Sequence, residues 1–295
     1  MTDRAADRQP TDVRFHLPAP SLRALVTSYC VIDAPDPVVD FTHPEWANIR
    51  FLLRGDLRFG DPDGREMTPP PNASIMGPTD RSWRFDSNGG MTIGIGFTPI
   101  GWLSLIGTDA SHIANGIVPL GDELGEPGEA ILERLIAAPD DVARVAILDT
   151  ILTALPLRAS HYRDAAIKVQ EALLSGVIDD VSNLADTLEI EPRTLHRVCR
   201  TAFGFSPVRL LRRQRFLRTL ARVRASLDRP LGQLIDEHYY DQAHFNRDFK
   251  AYMGMTPRAY YDSPREILRR GGEERRRVLG AQVQGLHVNS SSARD

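Results

Sequence analysis

Apolar positions in the first third of the chain come in short runs, separated by turns rich in Gly, Pro, Asp and Asn. Such runs are typical of β-strands, and their number predicts a small barrel or sandwich over residues 1–98. The runs are Leu25–Ile32, Ile49–Leu53, Leu57–Phe59, Ser74–Met76, Trp83–Phe85 and Met91–Phe97. Helical spacing follows at Pro99–Ile106, Ala130–Ala137 and Asp141–Leu155, and the last two offer a packing face for a second subunit.

Beyond residue 160 the apolar residues fall at helical intervals, so the second half of the chain is predicted to be all α-helix. Leu157–Ser160 is interpreted as a short linker. The end of the chain is rich in Gly, Ser and Arg, a composition typical of disorder. We therefore divide the chain into a β-rich part over 1–157, a helical domain over 160–264 and a disordered tail over 265–295.

The helical half contains an internal repeat with a spacing of 50 residues. Both the apolar positions and the residues that end or restart helices recur, and this double agreement is hard to obtain by chance. The matched pairs are Leu184 with Leu234, Leu195 with Phe245, Arg197 with Arg247, Gly204 with Gly254, Ser206 with Thr256, and Pro207 with Pro257. The repeat indicates a duplicated structural unit.

Each copy is predicted to be a helix, a tight turn and a second helix, the helix-turn-helix unit. In the first copy the short helix Val181–Leu188 follows Asp180, whose carboxylate suits the N-cap. The second helix, Pro192–Ala202, has proline in its first turn and ends at Gly204 in a left-handed cap.

The second copy follows the same plan. Its short helix is predicted at Leu231–Glu237, and its second helix is Gln242–Tyr252, capped by Asp241 and ended by Gly254. The apolar face of that second helix is formed by Phe245, Phe249 and Tyr252.

A long helix, Pro207–Leu227, joins the two units, and Phe216, Leu220, Val223 and Leu227 form its buried stripe. Its 21 residues span about 31 Å at ~1.5 Å per residue. One turn of duplex DNA is about 34 Å long. The connector is therefore long enough to place the two second helices in successive major grooves on one face of DNA. A plain helical bundle fits the periodicity, but it explains neither the duplicated caps nor the arginines on the exposed face.

Charge supports the same division of the chain. The formal net charge is −3, but residues 160–270 hold 19 basic and 14 acidic residues, whereas the remainder holds 17 and 25. Residues 190–230 contain eleven arginines against Glu191 and Asp228. Such asymmetry is typical of an acidic module joined to one that binds a polyanion. A solvated arginine-rich face is the alternative, because the chain contains only two lysines.

The side chains left outside on the two second helices are the candidate DNA contacts. Arginine grips guanine O6 and N7 with two hydrogen bonds, glutamine and asparagine suit adenine, and alanine can touch a thymine methyl group. We assign Arg193, His196 and Arg197 to bases and Arg200 to phosphate. On the later helix we assign Gln242, Ala243, Asn246 and Arg247 to bases and Lys250 to phosphate. Surface ion pairs are the alternative for each, and Cys199 is predicted to be a small core residue.

The stretches LADTLEIEPRTLHRVCRTAFGFSPVRLLRRQRFLRTL and YYDQAHFNRDFKAYMGMTPRAYY resemble the AraC/XylS-type transcription regulators. The resemblance covers residues 160–264 and includes both units and their spacing. It implies a DNA-binding domain attached to a sensing or dimerising domain. Two departures concern the turns: Glu191 replaces a small hydroxyl cap, which predicts a less firm helix start, and His238 replaces a common glycine.

The segments PAPSLRALVTSYC, GFTPIGWLSLIG and NGIVPLGDELG resemble the β-rich sensor domains of one branch of this family. That resemblance implies a cupin-like fold with a small-molecule pocket. The fold class we predict is therefore α+β, with an N-terminal cupin-like sensor domain and a C-terminal all-α domain of two helix-turn-helix units. Trp46, Arg50, Trp83 and Arg84 are candidates for a ligand site, although the aromatic residues also suit a barrel core.

Motifs for other chemistry are missing from the sequence. His16, His43 and His112 are scattered, no His-X-His occurs, and neither a phosphate loop nor a serine elbow is present. We therefore predict no enzyme activity, no metal and no cofactor. An enzyme with a catalytic cupin-like barrel and a helical targeting module remains the alternative, and an adaptor that binds acidic proteins is a third interpretation.

The predicted partner is double-stranded DNA, with RNA polymerase, a small-molecule effector and a second copy of the chain as further candidates. No apolar run approaches the ~18–20 residues that cross a bilayer, so no membrane is expected. The polar start MTDRAADRQP resembles no secretory signal. With only Cys30 and Cys199, neither a disulfide scaffold nor a four-cysteine zinc site can form, and a cytoplasmic location is expected.

Overall fold

The computed structural model describes residues 10–62, 64–225, 235 and 239–287. Its N-terminal part is built from antiparallel strands, as predicted. The strands are β1 Asp12–His16, β2 Val26–Ala34, β3 Val38–Phe41, β4 Asn48–Gly55, β5 Arg58–Gly60, β6 Ala73–Met76, β7 Arg84–Ser87, β8 Gly90–Phe97 and β9 Ile117–Pro119. Each of the six predicted runs corresponds to a strand, and β1, β3 and β9 were not predicted.

The strands form two sheets. Six of them lie in the order β1-β2-β8-β4-β6-β9, and β3, β7 and β5 form a smaller sheet. One face of the large sheet carries the main apolar core, which includes the fully buried Val31, Ile49, Phe51 and Ile93. The other face looks toward the small sheet and holds the cavity described below.

Three helices cover the core of this β-rich half. They are α1 Pro99–Gly101, which continues as a π-helical turn over Trp102–Ile106, α2 Gly128–Ala137 and α3 Asp141–Ala154. All three agree with the helical patterns predicted from the sequence. On α2 and α3, Ile136 and Val142 remain 52% and 75% exposed.

The C-terminal half is helical, as predicted. Its helices are α4 Arg163–Ser175, α5 Val181–Leu188, α6 Pro192–Phe203, α7 Pro207–Ala225, α8 Gln242–Met253, α9 Pro257–Asp262 and α10 Glu266–Leu279. Apart from Ile235, the predicted helix Leu231–Glu237 lies outside the described residues, as do His238 and the end of the predicted connector with Leu227. No described helix has the length and apolarity that a membrane span requires.

The tail predicted to be disordered is instead helical over Glu266–Leu279, and a short 3₁₀ turn follows at Gln284–Leu286. The helix is amphipathic, and its Ile267 is buried with Val13 and Phe15 of the β-rich half. Ion pairs along its outer side, such as Arg269 with Glu273 at 3.0 Å, support the helix. The prediction from composition was wrong because this segment is ordered by packing against residues of β1, which lie far away in the sequence.

The two halves share core residues. Trp46 and Leu103 of the β-rich half belong to the same apolar cluster as Leu195 and Phe203 of the first helix-turn-helix unit. The rings of Trp46 and Phe203 meet edge to face with centroids 5.5 Å apart. The linker Leu157–Ser160 therefore joins parts that pack directly against each other.

Candidate nucleic-acid interface

The two second helices repeat in three dimensions as they do in sequence. Residues 191–200 and residues 241–250 show the same succession of exposed, half-buried and buried positions, residue for residue. In α6 the buried positions are Leu195, Val198 and Cys199, and in α8 they are Phe245, Asp248 and Phe249. The 50-residue repeat is therefore a repeat of packing, and each copy presents the equivalent face to solvent.

Helix α6 begins and ends as the sequence predicts, with one difference in its cap. Glu191 occupies the N-cap, and its Oε2 accepts a hydrogen bond from the Thr194 backbone N–H at 2.9 Å. The longer side chain thus makes the bond that a small hydroxyl usually makes, and this bond lowers the pKa of the Glu191 carboxyl. Gly204 ends the helix with φ of 82°, in the left-handed region.

Helix α8 is built in the same way. Asp241 accepts a hydrogen bond from the His244 backbone N–H at 2.6 Å, and Gly254 ends the helix with φ of 72°. The connecting helix α7 supports α8 from behind, since the ring of Phe216 stacks on that of Tyr252 with centroids 4.6 Å apart. Phe216 also contacts Phe249 edge to face.

All nine side chains predicted to contact DNA are exposed. They are Arg193, His196, Arg197 and Arg200 on α6, and Gln242, Ala243, Asn246, Arg247 and Lys250 on α8. Within the described part of the chain, no carboxylate lies at ion-pairing distance from Arg197, Arg200 or Lys250. Asp248, the neighbour of Arg247, is buried and lies 3.5 Å from Arg212 of α7. The side chains are therefore available to an external partner.

The described part of the connector, α7, has 19 residues. That length corresponds to about 28 Å at ~1.5 Å per residue. Phe216, Leu220 and Val223 are buried along it, as the predicted stripe requires. Cys199 is fully buried, and burial raises the pKa of its thiol to about 12, which agrees with the predicted core role.

A cavity lies between the large sheet and α10. Its floor consists of two rows that cross three strands, Cys30–Gly94–Arg50 and Ser28–Gly96–Asn48. Glycine stands at the centre of each row, so the middle strand contributes no side chain there. A Cβ atom at Gly94 would find its nearest atom 3.5 Å away. Gly94 therefore leaves space that belongs to the cavity, whereas a Cβ atom at Gly96 would lie 2.5 Å from Thr27 Oγ1 and 2.7 Å from Gln284 Nε2.

Helix α10 and the segment after it form the opposite wall. The cavity encloses ≈ 820 Å³ of space between atoms, including its open mouth. Its wall carries apolar side chains such as Phe15 and Ile267, and charged ones, namely Glu45, Arg50 and Arg275. The Asp40 carboxylate holds α10 in place by accepting the Leu268 backbone N–H at 2.9 Å. A mixed lining of this kind is typical of small-molecule sites.

The four residues proposed for a ligand site do not come together. Only Arg50 lines the cavity. Trp46 is buried between the two halves, beneath the guanidinium of Arg213 at 3.8 Å. Trp83 packs on Phe59, and the side chain of Arg84 lies beside Gly64. The sequence signal for the cavity is the alternation of glycine in one strand with polar residues in its neighbours. The sequence alone does not show which strands pair, so this signal could not be used.

His43 connects this cavity wall with the helical half. The residue is buried, and its Nε2 lies 2.9 Å from the hydroxyl oxygen of Tyr260 in α9. Burial lowers the pKa of His43 well below its usual range, and the nearby Arg224, Arg265 and Arg275 lower it further. The imidazole is therefore neutral in the native protein at neutral pH.

We expect this histidine to destabilise the fold in acid. As the pH falls below about 6.5, His43 takes up a proton in the unfolded chain but not in the native protein. The free energy of unfolding is therefore highest above that pH and decreases as the pH falls below it. Urea unfolding at about pH 5 and about pH 7.5 measures the loss, and the His43→Gln variant should lose less stability between them. Equal losses in both proteins would contradict the expectation.

Groups that could bind a metal are absent from the described residues, among which no cluster of three His, Cys, Asp or Glu side chains occurs. His16 pairs with Asp141 at 3.3 Å, His43 bonds to Tyr260, and His112 lies in a 3₁₀ turn.

Comparison with known proteins supports the interpretation of the helical half. A family model described as a helix-turn-helix domain matches residues 184–263. No curated protein matches the chain.

Three similar solved structures can be named. One is ToxT from Vibrio cholerae O395 bound to (E)-4-(8-methylnaphthalen-1-yl)but-3-enoic acid, with 11% identity, a TM-score of 0.44, and coverage of 85% of this chain and 98% of that chain. Another is unsaturated fatty acid-bound ToxT from Vibrio cholerae strain SCE256, with 10% identity, a TM-score of 0.41, and coverage of 79% and 93%. The AraC-like transcriptional activator CuxR shares 12% identity with a TM-score of 0.27, over 72% of this chain and 87% of that chain.

The matched segment contains α6 and α8, their caps and the connector α7. Residues 184–263 therefore form a helix-turn-helix domain.

Proposed function

We propose that the protein is a sequence-specific transcription regulator that reads two successive major grooves of DNA. The single observation that carries the proposal is the equivalent exposed face on α6 and α8, with arginine, amide and lysine side chains at its outer positions. Two such faces joined by a helix of about 28 Å suit two sites one helical turn apart.

The side chains divide into two roles. Arg193, His196 and Arg197 would meet base edges in the first groove. In the second groove that role falls to Gln242, Ala243, Asn246 and Arg247. Arg200 and Lys250 lie nearer the C-terminal ends of their helices and would meet phosphates, which position the protein without reading sequence.

The salt dependence of binding tests this proposal. Each phosphate contact releases counterions, so a regulator should bind duplex DNA with an affinity that falls steeply as salt increases. Hydroxyl-radical footprinting should show two protected patches on one face of the duplex. A weak salt dependence, with no preference for any duplex sequence, would instead favour an adaptor that binds acidic proteins.

We further propose that a small-molecule effector binds in the cavity and modulates DNA binding. Two observations support this proposal. The cavity has a mixed apolar and charged lining, and one of its walls is formed by α10, which follows α6 and α8 in the chain. A ligand that contacts both walls would favour whichever arrangement of the halves it binds more tightly.

Filling the cavity from its floor should remove this response. In Gly94→Leu the added side chain would project between Cys30 and Arg50, so we expect unchanged DNA binding and loss of any effector-induced rise in Tm. The matched control is Gly94→Ala, which adds one methyl group and should raise the free energy of unfolding by ~0.5–1 kcal/mol, because glycine weakens a strand. Thermal shift across a panel of small molecules measures both variants, and an effector that still raises the Tm of Gly94→Leu would contradict the proposed site.

Other partners follow from the same interpretation. The exposed Ile136 and Val142 on α2 and α3 support a homodimer face, and RNA polymerase is the partner through which a bound regulator would act on transcription. A DNA-binding regulator works where the DNA is, so we propose a cytoplasmic location.

A further inference from the structure

One short segment of the β-rich half touches the ends of the two recognition helices, α6 and α8. The segment is Pro78–Ser82, which follows strand β6 and is called the bridging segment below. Thr79, Asp80 and Ser82 are buried, although they lie in a loop and are polar. Buried polar loop residues require partners, and here several of those partners belong to the helical half.

At one end, the bridging segment contacts the first unit and the start of the connector α7. Pro78 packs on Gly204, the residue that ends α6, so closely that a Cβ atom at Gly204 would lie 2.5 Å from the Pro78 ring. The Asp80 carboxylate pairs with Arg209 in the first turns of α7. The Thr79 carbonyl accepts a hydrogen bond from Arg213 Nη1 at 3.2 Å.

At the other end, the bridging segment contacts the second unit. The Ser82 backbone N–H donates to the Tyr252 carbonyl at 2.6 Å. Tyr252 lies in the last turn of α8, where carbonyl groups have no partner within the helix. The β-rich half therefore supplies a bond that the end of the second recognition helix lacks.

The bridging segment is itself held firmly. Asn115 donates from its amide to the Asp80 carboxylate at 2.8 Å and accepts the Asp80 backbone N–H at 3.1 Å. Thr79 exchanges two hydrogen bonds with Glu45, both at 2.9 Å. Glu45 also lines the cavity, so a cavity wall lies one hydrogen bond from the bridging segment.

We propose that the bridging segment is a positioning element that sets the separation and angle of the two recognition helices. Without the bridging segment, the connector α7 would be the link that sets the position of one helix-turn-helix unit relative to the other. The bridging segment adds a second connection, from the end of α6 to the end of α8. The consequence for DNA reading rests on the function proposed above, whereas the geometric role does not.

Spin-label distances measured without DNA test the geometric role. Nitroxide labels are placed at Asp186→Cys on α5 and Ala259→Cys on α9, both exposed positions, in a Cys30→Ser, Cys199→Ala background. The parent protein should give a single narrow distance distribution. Asp80→Ala removes the pair with Arg209, and Ser82→Pro removes the N–H that bonds to Tyr252, so each should at least double the width of the distribution.

Two further variants separate positioning from general damage. Asp33→Ala removes an ion pair of 2.8 Å between Asp33 on β2 and Arg54 on β4, outside the bridging segment, and should leave the distribution narrow. Asp80→Glu keeps the carboxylate and should restore the narrow distribution. If Ser82→Pro fails to fold, Asp80→Ala decides alone. A folded Asp80→Ala protein with the width of the Asp33→Ala control would overturn the proposal.

DNA binding then tests the consequence. On a duplex with two half-sites, Asp80→Ala should bind at least tenfold more weakly than the parent, and on a single half-site it should bind equally well. Equal weakening on both duplexes would overturn the role in DNA reading. A parent protein that binds neither duplex would refute the proposed function, while the distance distributions would still decide the geometric role.

Discussion

Arg197→Ala is expected to abolish base preference at one position of the DNA site. The side chain is exposed on α6, and within the described residues no carboxylate competes for it. A bidentate contact from arginine to guanine contributes ~1–3 kcal/mol of discrimination, or about fivefold to 150-fold in relative affinity. Binding to random DNA should change much less, because the lost contact carries sequence information.

Lys250→Ala is the matched control for that experiment. Lys250 is assigned to a phosphate, so its loss should weaken binding by a similar factor on all sequences and lower the salt slope by about one. Competition titrations with specific and random duplexes at several salt concentrations measure both variants. If both variants lose affinity equally on specific and random DNA, the division into base-reading and phosphate-binding residues is wrong.

Phe249→Ala is expected to destabilise the second helix-turn-helix unit strongly. The ring is fully buried and has three aromatic neighbours, Phe216, Phe245 and Tyr260, with centroids 5.4 to 5.6 Å away. Truncation of a buried phenylalanine costs ~3–5 kcal/mol, because it removes apolar contacts and leaves a cavity. Urea unfolding measures the loss, and footprinting should show protection of only the first groove.

The control for this variant is Tyr240→Ala, in which the truncated side chain is 94% exposed. Its effect on the free energy of unfolding should remain within about 0.5 kcal/mol. A comparable loss in both variants would mean that aromatic packing does not hold the second unit, contrary to the buried cluster around Phe249.

The helix-turn-helix features were predictable because their signals are local. Caps such as Asp180 and Asp241 and helix-ending glycines such as Gly204 act within one turn of the chain, so sequence alone locates them. The 50-residue repeat added independent agreement, since each copy predicted the other. Exposure of the nine candidate contacts followed directly from the helical spacing of the buried positions.

The cavity and α10 could not be predicted in the same way. The row Cys30–Gly94–Arg50 joins three strands that lie far apart in the sequence, and only their pairing brings the residues together. Helix α10 has two adjacent glycines at its centre, Gly271 and Gly272, which weaken its local helix signal, and it packs on β1 and is held by the buried Asp40. Trp46 illustrates the same limit, because the residue that covers it, Arg213, belongs to the other half of the chain.

Selection of bound duplexes from a random pool tests the central claim, that two repeated helices read two successive grooves. We expect enriched sequences with two short preferred blocks whose centres lie about 10 bp apart, one turn of the double helix. The blocks should differ in sequence, because α6 presents arginines and histidine where α8 presents amides and alanine. A single preferred block, two blocks at a spacing unrelated to the helical turn, or no enrichment at all would contradict the account.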